Sequence, residues 1–230
     1  MKLKAALFDL DGTLMDSEWY YTQFWTDIAK DMLPDVPNLG LLARGVAPTA
    51  TLARFFPDDN DKAEILRRMK ICDENLPCTM YDGALEFVRH LRSRGLKCAV
   101  VTSSMTPKME IIYGRVPDFK SSFDLILTAE EFGRPKPAPD CYLKAAEKLG
   151  CTPDECIVFE DSDSGLRSAM SAGIFTFGLA TGSTPEELKG KCDYVLDGFK
   201  NMDYGKVVEI IQAEYGKGPE SAPQAKVSGV

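Results

Sequence analysis

The chain has 230 residues, of which 44% are hydrophobic and 27% charged, and its formal net charge is −8. That is ordinary for a globular protein, with length for one large domain or a core plus a smaller insert. The acidity excludes a nucleic-acid partner, since phosphate backbones are bound by clustered Lys and Arg. No apolar run approaches the roughly 20 residues of a membrane span.

Residues 2–8 (KLKAALF) read as a buried strand running into the acidic loop DLDGTLMD. Asp9 and Asp11 interrupt this opening too soon for a secretory leader, and a cytoplasmic address is expected. From Asp16 to Met80 there are no strand patterns, only the helical ones of SEWYYTQFWTDIAKDML, APTATLARFF and DKAEILRRMKICDENL. Such a block predicts an all-helical cap domain over 16–80, inserted into a core made of 1–15 and 81–215. The aromatic cluster Trp19, Tyr20, Tyr21, Phe24 and Trp25 is expected to be the cap's own core.

Beyond the insert, strand-like runs at 98–102, 124–128, 156–160, 174–178 and 193–196 alternate with amphipathic stretches at 82–94, 106–114, 139–149, 163–172 and 204–214. Gly95, Gly150 and Gly173 sit where helices should stop, and Thr184-Pro185-Glu186-Glu187 combines a capping box with proline at the first helical position. Alternating strands and helices predict an α/β fold with a parallel sheet covered on both faces. Residues 216–230 are rich in Gly, Pro, Ser and Lys without periodicity, and a disordered tail is expected there.

The only histidine, His90, falls beside the apolar face of a helix among arginines. Histidine-based triads and zinc sites of the HExxH type are therefore excluded. The seven cysteines form no CxxC pair and read as structural thiols. Chemistry must rest on carboxylates, hydroxyls and lysine.

In a sheet of this class ligands gather at the carboxyl ends of the strands. Four polar clusters follow strand ends: Asp9-Leu10-Asp11-Gly12-Thr13, then Ser103-Ser104, then Lys136 within GRPKPAPD, then Glu160-Asp161. Acids packed together without a cation repel one another and resist ionisation. Magnesium, which takes oxygen ligands and few carboxylates, is the expected partner of Asp9, Asp161 and Glu160. Lys136 is the local counter-charge for phosphate and for Asp9, and Ser103 and Ser104 can each offer a hydroxyl or backbone N–H to a phosphate oxygen. Two acids one residue apart suit covalent catalysis, the first attacking phosphorus and the second moving the proton. Gly12 lets the chain turn sharply after them.

DLDGTL, VTSS, the lysine of KPAPD and the acidic pair of FEDSDSG resemble, in order and separation, the four motifs of the haloacid dehalogenase superfamily. The helical insert is similar to the cap of its β-phosphoglucomutase-like subfamily. The resemblance implies a Rossmann-like core with Asp9 as nucleophile and Asp11 as acid/base. It further implies magnesium on Asp9, on the Asp11 backbone carbonyl, on Asp161 and on Glu160 directly or through water, with Ser103 as phosphate-binding hydroxyl and Lys136 as stabilising lysine. Two departures disfavour mutase chemistry: Tyr21 stands where mutase members carry a histidine, and Pro48 where they carry a substrate-loop arginine. Dehalogenase members lack an acid at the position of Asp11.

The expected function is hydrolysis of a small phosphate monoester, a sugar or polyol phosphate, through an aspartyl-phosphate. The alternatives are a β-phosphoglucomutase-type phosphotransferase and a catalytically silent binding or regulatory protein. Arg44, Lys62 and Lys70 are candidates for substrate selection in the cap, and a monomer or weak dimer is expected.

Overall fold

The computed structural model describes residues 2–216. Six short strands, β1 (Ala5–Phe8), β2 (Lys97–Val101), β3 (Leu125–Leu127), β4 (Cys156–Glu160), β5 (Phe175–Leu179) and β6 (Tyr194–Leu196), form one sheet in the order β3-β2-β1-β4-β5-β6. Every pairing is parallel. The first strand is therefore central, with β2 on one side and β4 on the other, and a crevice opens where the winding reverses. The sheet and its alternation with helices are those expected from the sequence, with element ends shifted by one to three residues.

Side-chain alternation explains why two layers of helices are needed. Ala6, Phe8, Cys98, Val100, Ile157, Phe159 and Phe177 point to one face, beneath α5 (Ala84–Ser93), α6 (Thr106–Arg115) and α10 (Tyr204–Gly216). Ala5, Leu7, Ala99, Val101, Cys156 and Val158 point to the other, beneath α7 (Asp140–Lys148) and α8 (Asp163–Ser171). Both faces are thus apolar, as a fully covered parallel sheet requires. On the first face Phe8 and Phe159 stack at 4.8 Å and 9°, and Phe159 and Phe177 at 4.9 Å and 8°. This ladder crosses β1, β4 and β5 immediately below the acidic rim.

The insert consists of α1 (Glu18–Met32), α2 (Leu39–Leu42), α3 (Pro48–Phe55) and α4 (Asp59–Glu74). Its two connections to the core run side by side: Met15 and Met80 form an isolated antiparallel bridge, and the Asp16 N–H donates to the Thr79 carbonyl at 2.9 Å. The insert has a separate apolar cluster, which includes Trp25, Ile28, Leu39, Leu52, Phe56, Ile65 and Met69. Only part of the expected aromatic cluster belongs to it. Trp25 is buried there and Phe24 packs on it, whereas Tyr20 and Tyr21 pack against the core of the sheet and Trp19 is exposed. The five residues fall within two turns of one helix, so they cannot share a single face.

A short helix α9 (Pro185–Leu188) begins at the capping box read from the sequence, with the Glu187 N–H donating to Thr184 Oγ1. Helix α10 continues to Gly216, two residues past its expected end. The remainder of the expected tail, 217–230, lies outside the described residues. All seven cysteines are free thiols, five of them buried.

Because the Phe159 ring is fully buried between two stacked neighbours, Phe159→Ala should destabilise the fold by about 3–5 kcal/mol. Urea unfolding followed by circular dichroism measures this; a loss below about 1 kcal/mol would mean that the ladder is dispensable.

Candidate active site

Sheet register brings the first two acids together. Phe8 is level with Phe159, so Asp9 and Glu160 leave adjacent strands at the same height, and the Asp9 N–H donates to the Phe159 carbonyl at 3.0 Å. With Asp161 they form a buried group whose carboxylate oxygens lie within 4.8 Å of one another. Lys136 comes from the loop between β3 and α7. Its Nζ is 2.6 Å from Asp9 Oδ1, 2.6 Å from Glu160 Oε1 and 3.2 Å from the Val101 carbonyl.

The ligand atoms divide cleanly. Glu160 Oε1 accepts from Lys136 and from the Tyr142 hydroxyl at 3.1 Å, while Oε2 accepts from the Ser162 N–H and hydroxyl. Asp161 Oδ1 accepts from Thr13 at 2.8 Å. Among the described residues no hydrogen bond engages Oδ2 of Asp9 or Oδ2 of Asp161. Close approach fixes the surroundings. A Cβ on Gly165, in the first turn of α8, would overlap the Glu160 carboxylate, and one on Gly12 would overlap that of Asp161. Gly12 also has φ +82°, which a side chain would strain.

Burial, opposed by Lys136, raises the pKa of Asp9, and the charges of Glu160 and Asp11 push it further up. Asp161 is raised well above the usual carboxylate range by burial and by Glu160, Asp9 and Glu18. Burial disfavours the charged form of Lys136, but the Asp9 and Glu160 carboxylates outweigh it and hold its pKa well above the ordinary value. Three carboxylates and one ammonium leave two negative charges uncompensated when all are ionised. A divalent cation on the free oxygens of Asp9 and Asp161 would supply that balance, and oxygen donors suit a hard ion. The residues present fit such an ion.

The Asp11 carboxylate lies apart from this group, and the metal contact expected of Asp11 is through its backbone carbonyl. Lys108 Nζ is 2.6 and 2.7 Å from its two oxygens, the Ser17 hydroxyl donates to Oδ1 at 2.5 Å, and the Ser104 hydroxyl donates to Oδ2 at 2.7 Å. Burial pushes the pKa of Asp11 up, but the charge and hydrogen bonds of Lys108 and those of Ser17 and Ser104 prevail and lower it. Ser104, expected to face phosphate, thus faces Asp11, because its hydroxyl meets an anion closer at hand. Ser103 instead lines a cavity of about 160 Å³ with Ala47, Thr49, Ala129, Phe132, Gly133 and Pro135.

Lys108, in the first turn of α6, is a residue that sequence reading missed. The signal was there: a lysine near the positive end of a helix dipole is unfavourable unless an anion holds it. Of the insert's candidates, Arg44 reaches the site. It donates to Glu18 Oε2 at 2.9 Å and to the Gly182 carbonyl, beside Asp161. Lys62 pairs with Asp59, and Lys70 is exposed.

The haloacid dehalogenase-like hydrolase family model matches residues 3–173, and the chain belongs to that family. It is 31% identical to hexitol phosphatase A of Escherichia coli over 190 residues, 80% of this chain and 87% of that protein. It is 26% identical to a β-phosphoglucomutase of Bacillus subtilis over 197 residues, covering 78% of this chain and 84% of the mutase. Among solved structures, a HAD hydrolase of family IA, variant 3, from Entamoeba histolytica superposes with a TM-score of 0.77 at 26% identity, covering 91% of this chain and all of that one. Among the described residues no helix is long and apolar enough to cross a membrane.

Without divalent cations, Asp161→Asn should raise the thermal midpoint, because it removes one of the mutually repelling buried charges yet keeps an acceptor for Thr13. Added Mg²⁺ should stabilise the wild type and shift the variant much less. Thermal scans with and without the ion test this; a variant less stable in both conditions would contradict the repulsion.

Proposed function

We propose that this protein is a Mg²⁺-dependent phosphatase that hydrolyses a sugar or polyol monophosphate through an aspartyl-phosphate on Asp9. The observation that carries the reading is the pair of free oxygens, Asp9 Oδ2 and Asp161 Oδ2, in a buried group two positive charges short of balance. Hexitol phosphatase A, a relative similar along most of its length, supports the substrate class.

In the first step an Asp9 oxygen attacks phosphorus and the ester P–O bond breaks, while Asp11 gives its proton to the departing alkoxide. In the second, Asp11 takes a proton from water as that water attacks the phosphorus, and the P–O bond to Asp9 breaks to release phosphate. The proton gained in the second step is the one used in the first step of the next turnover. Asp9 and Asp161, together with Glu160, would hold Mg²⁺, which would supply positive charge to the phosphoryl oxygens. Lys136 offsets the repulsion between Asp9 and Glu160 and presents its ammonium to the same oxygens. Ser103 holds phosphate, and the helical insert over 16–80 acts as the cap.

Hydrolysis is favoured over phosphate migration because a mutase must hold a second phosphate. Among the described residues, the cavity beside Ser103 is lined without a cation, and Pro48 and Thr49 of the insert bring none.

Asp9→Asn should abolish phosphate release with the fold intact, since an amide cannot attack. A phosphate-release screen of sugar, polyol and nucleotide monophosphates with Mg²⁺, and after verified removal by EDTA, tests it. Wild-type-like release from the variant overturns the covalent step, interconversion of glucose phosphates with a bisphosphate primer favours the mutase, and no turnover of any ester favours a silent protein. Asp11→Ala should lower kcat/KM for a hexitol phosphate by ~10²–10⁴-fold and for p-nitrophenyl phosphate far less, because the aryl oxide leaves without a proton. Equal falls would remove the proton-transfer role.

A further inference from the structure

Lys108 is buried, belongs to helix α6 and makes no ion pair with the three-carboxylate group, yet among the described residues it is the ion-pair partner of Asp11. It reaches both Asp11 oxygens, so it fixes the plane of the carboxylate as well as its charge. Each oxygen also has a hydroxyl donor, Ser17 on one and Ser104 on the other. The far side of the ammonium lies 4.3 Å from the centre of the Tyr21 ring in α1. The Tyr21 hydroxyl in turn donates to Asp73 Oδ1 in α4 at 2.7 Å. A buried lysine with this many partners is positioned by packing from both the core and the insert.

We propose that Lys108 is a positioning residue for Asp11: gripped between Tyr21 and both carboxylate oxygens, it holds Asp11 clear of the cation-binding acids and at the station from which it exchanges a proton with the substrate. The alternative place for a free Asp11 carboxylate is the neighbouring cation site, where it would bind metal and be lost to proton transfer. Lys108 removes that choice by offering a closer positive charge. Tyr21 and Asp73 belong to the insert, so the ammonium has its full set of partners only when the insert is seated as described. The inference rests on the proton-transfer role proposed for Asp11.

The test compares Lys108→Met, Lys108→Arg, Asp11→Ala and the double variant Asp11→Ala/Lys108→Met, each first shown to unfold cooperatively. kcat/KM is measured on a hexitol phosphate and on p-nitrophenyl phosphate, because it reports the step in which the leaving group departs. Lys108→Met should lower the alkyl value by at least ~10²-fold and the aryl value by less than ~10-fold, the pattern of lost general acid help. Lys108→Arg, which keeps the cation, should recover at least about tenfold of the alkyl loss, and the double variant should fall no further than Asp11→Ala. An equal fall for both substrates would overturn the proposal, since that is what a lysine gripping phosphate or serving only the fold produces. So would additive losses in the double variant. If Asp11→Ala itself shows no difference between the substrates, the role of Asp11 fails and the proposal falls with it; if Asp11→Ala shows the difference and Lys108→Met does not, only the proposal fails. Should Lys108→Met not fold, the Lys108→Arg comparison with wild type decides: a rotated cation must still lower the alkyl value more than the aryl one.

Discussion

The ammonium of Lys136, 2.6 Å from a carboxylate oxygen on each of two neighbouring strands, is the contact on which the rim of this sheet depends. Asp9 and Glu160 are neighbours because β1 and β4 are in register, and that register is set below them by stacked phenylalanines. Without a cation between them, two buried acids at adjacent strand ends would neutralise by taking up protons or would force the strands apart. Lys136 can stand there only because its loop enters between β3 and α7 and because Tyr142 shares the burden at Glu160. The buried pairs are then a constraint on geometry more than a source of stability, since the desolvation of three charges offsets much of their attraction. What they secure is that Asp9 Oδ1 is engaged while Oδ2 has no hydrogen-bond partner among the described residues.

A second lysine divides the acids into two compartments. Asp9 and Glu160 share Lys136, and with Asp161 beside them the group remains short of positive charge, so the pKa values of Asp9 and Asp161 are driven up. Asp11, two residues from Asp9, has a lysine to itself and two hydroxyl donors, so its pKa is driven down. A divalent ion in the first compartment would favour the anionic form of Asp9. Ser104 belongs to this division as well: its hydroxyl completes the Asp11 compartment, which leaves Ser103 alone to face the cavity.

The reading of the fold from sequence succeeded where a single period carried it. Strands such as CIVFE and helices such as 163–172 are short, buried and bounded by glycine or a cap, and the chain adopts them within a residue or two. The four strand-end clusters were legible for a topological reason: in a parallel sheet all carboxyl ends lie on one rim, so Asp9, Lys136, Glu160 and Asp161 had to converge. What was not legible depended on side-chain direction. Nothing in the spacing of DLDGT says that Asp11 turns toward Ser104 and not toward Asp161. Nor does it say that its partner is Lys108, nearly a hundred residues away on a helix whose apolar pattern accounts for the rest of its face. The aromatic run at 19–25 misled for the same reason: a helix spreads five consecutive-looking rings over several faces, and only Phe24 and Trp25 turn toward the insert.

An acidic protein that handles anions must attract them locally, because its overall field repels them. The positive groups here are few, and each is held in place: Lys136 and Lys108 are buried, and Arg44 is tied to Glu18 and to the Gly182 carbonyl. Arg44 and the hydrogen bond from the Ser164 hydroxyl to the Gly45 carbonyl lay the loop before α3 directly onto the rim. That loop then supplies Ala47 and Thr49 to the cavity beside Ser103, a space of about 160 Å³ with an uncharged lining. Water excluded by this contact would raise the strength of every charge interaction at the rim. An anionic group entering that cavity would lose its hydration without meeting a cation among the residues that line it.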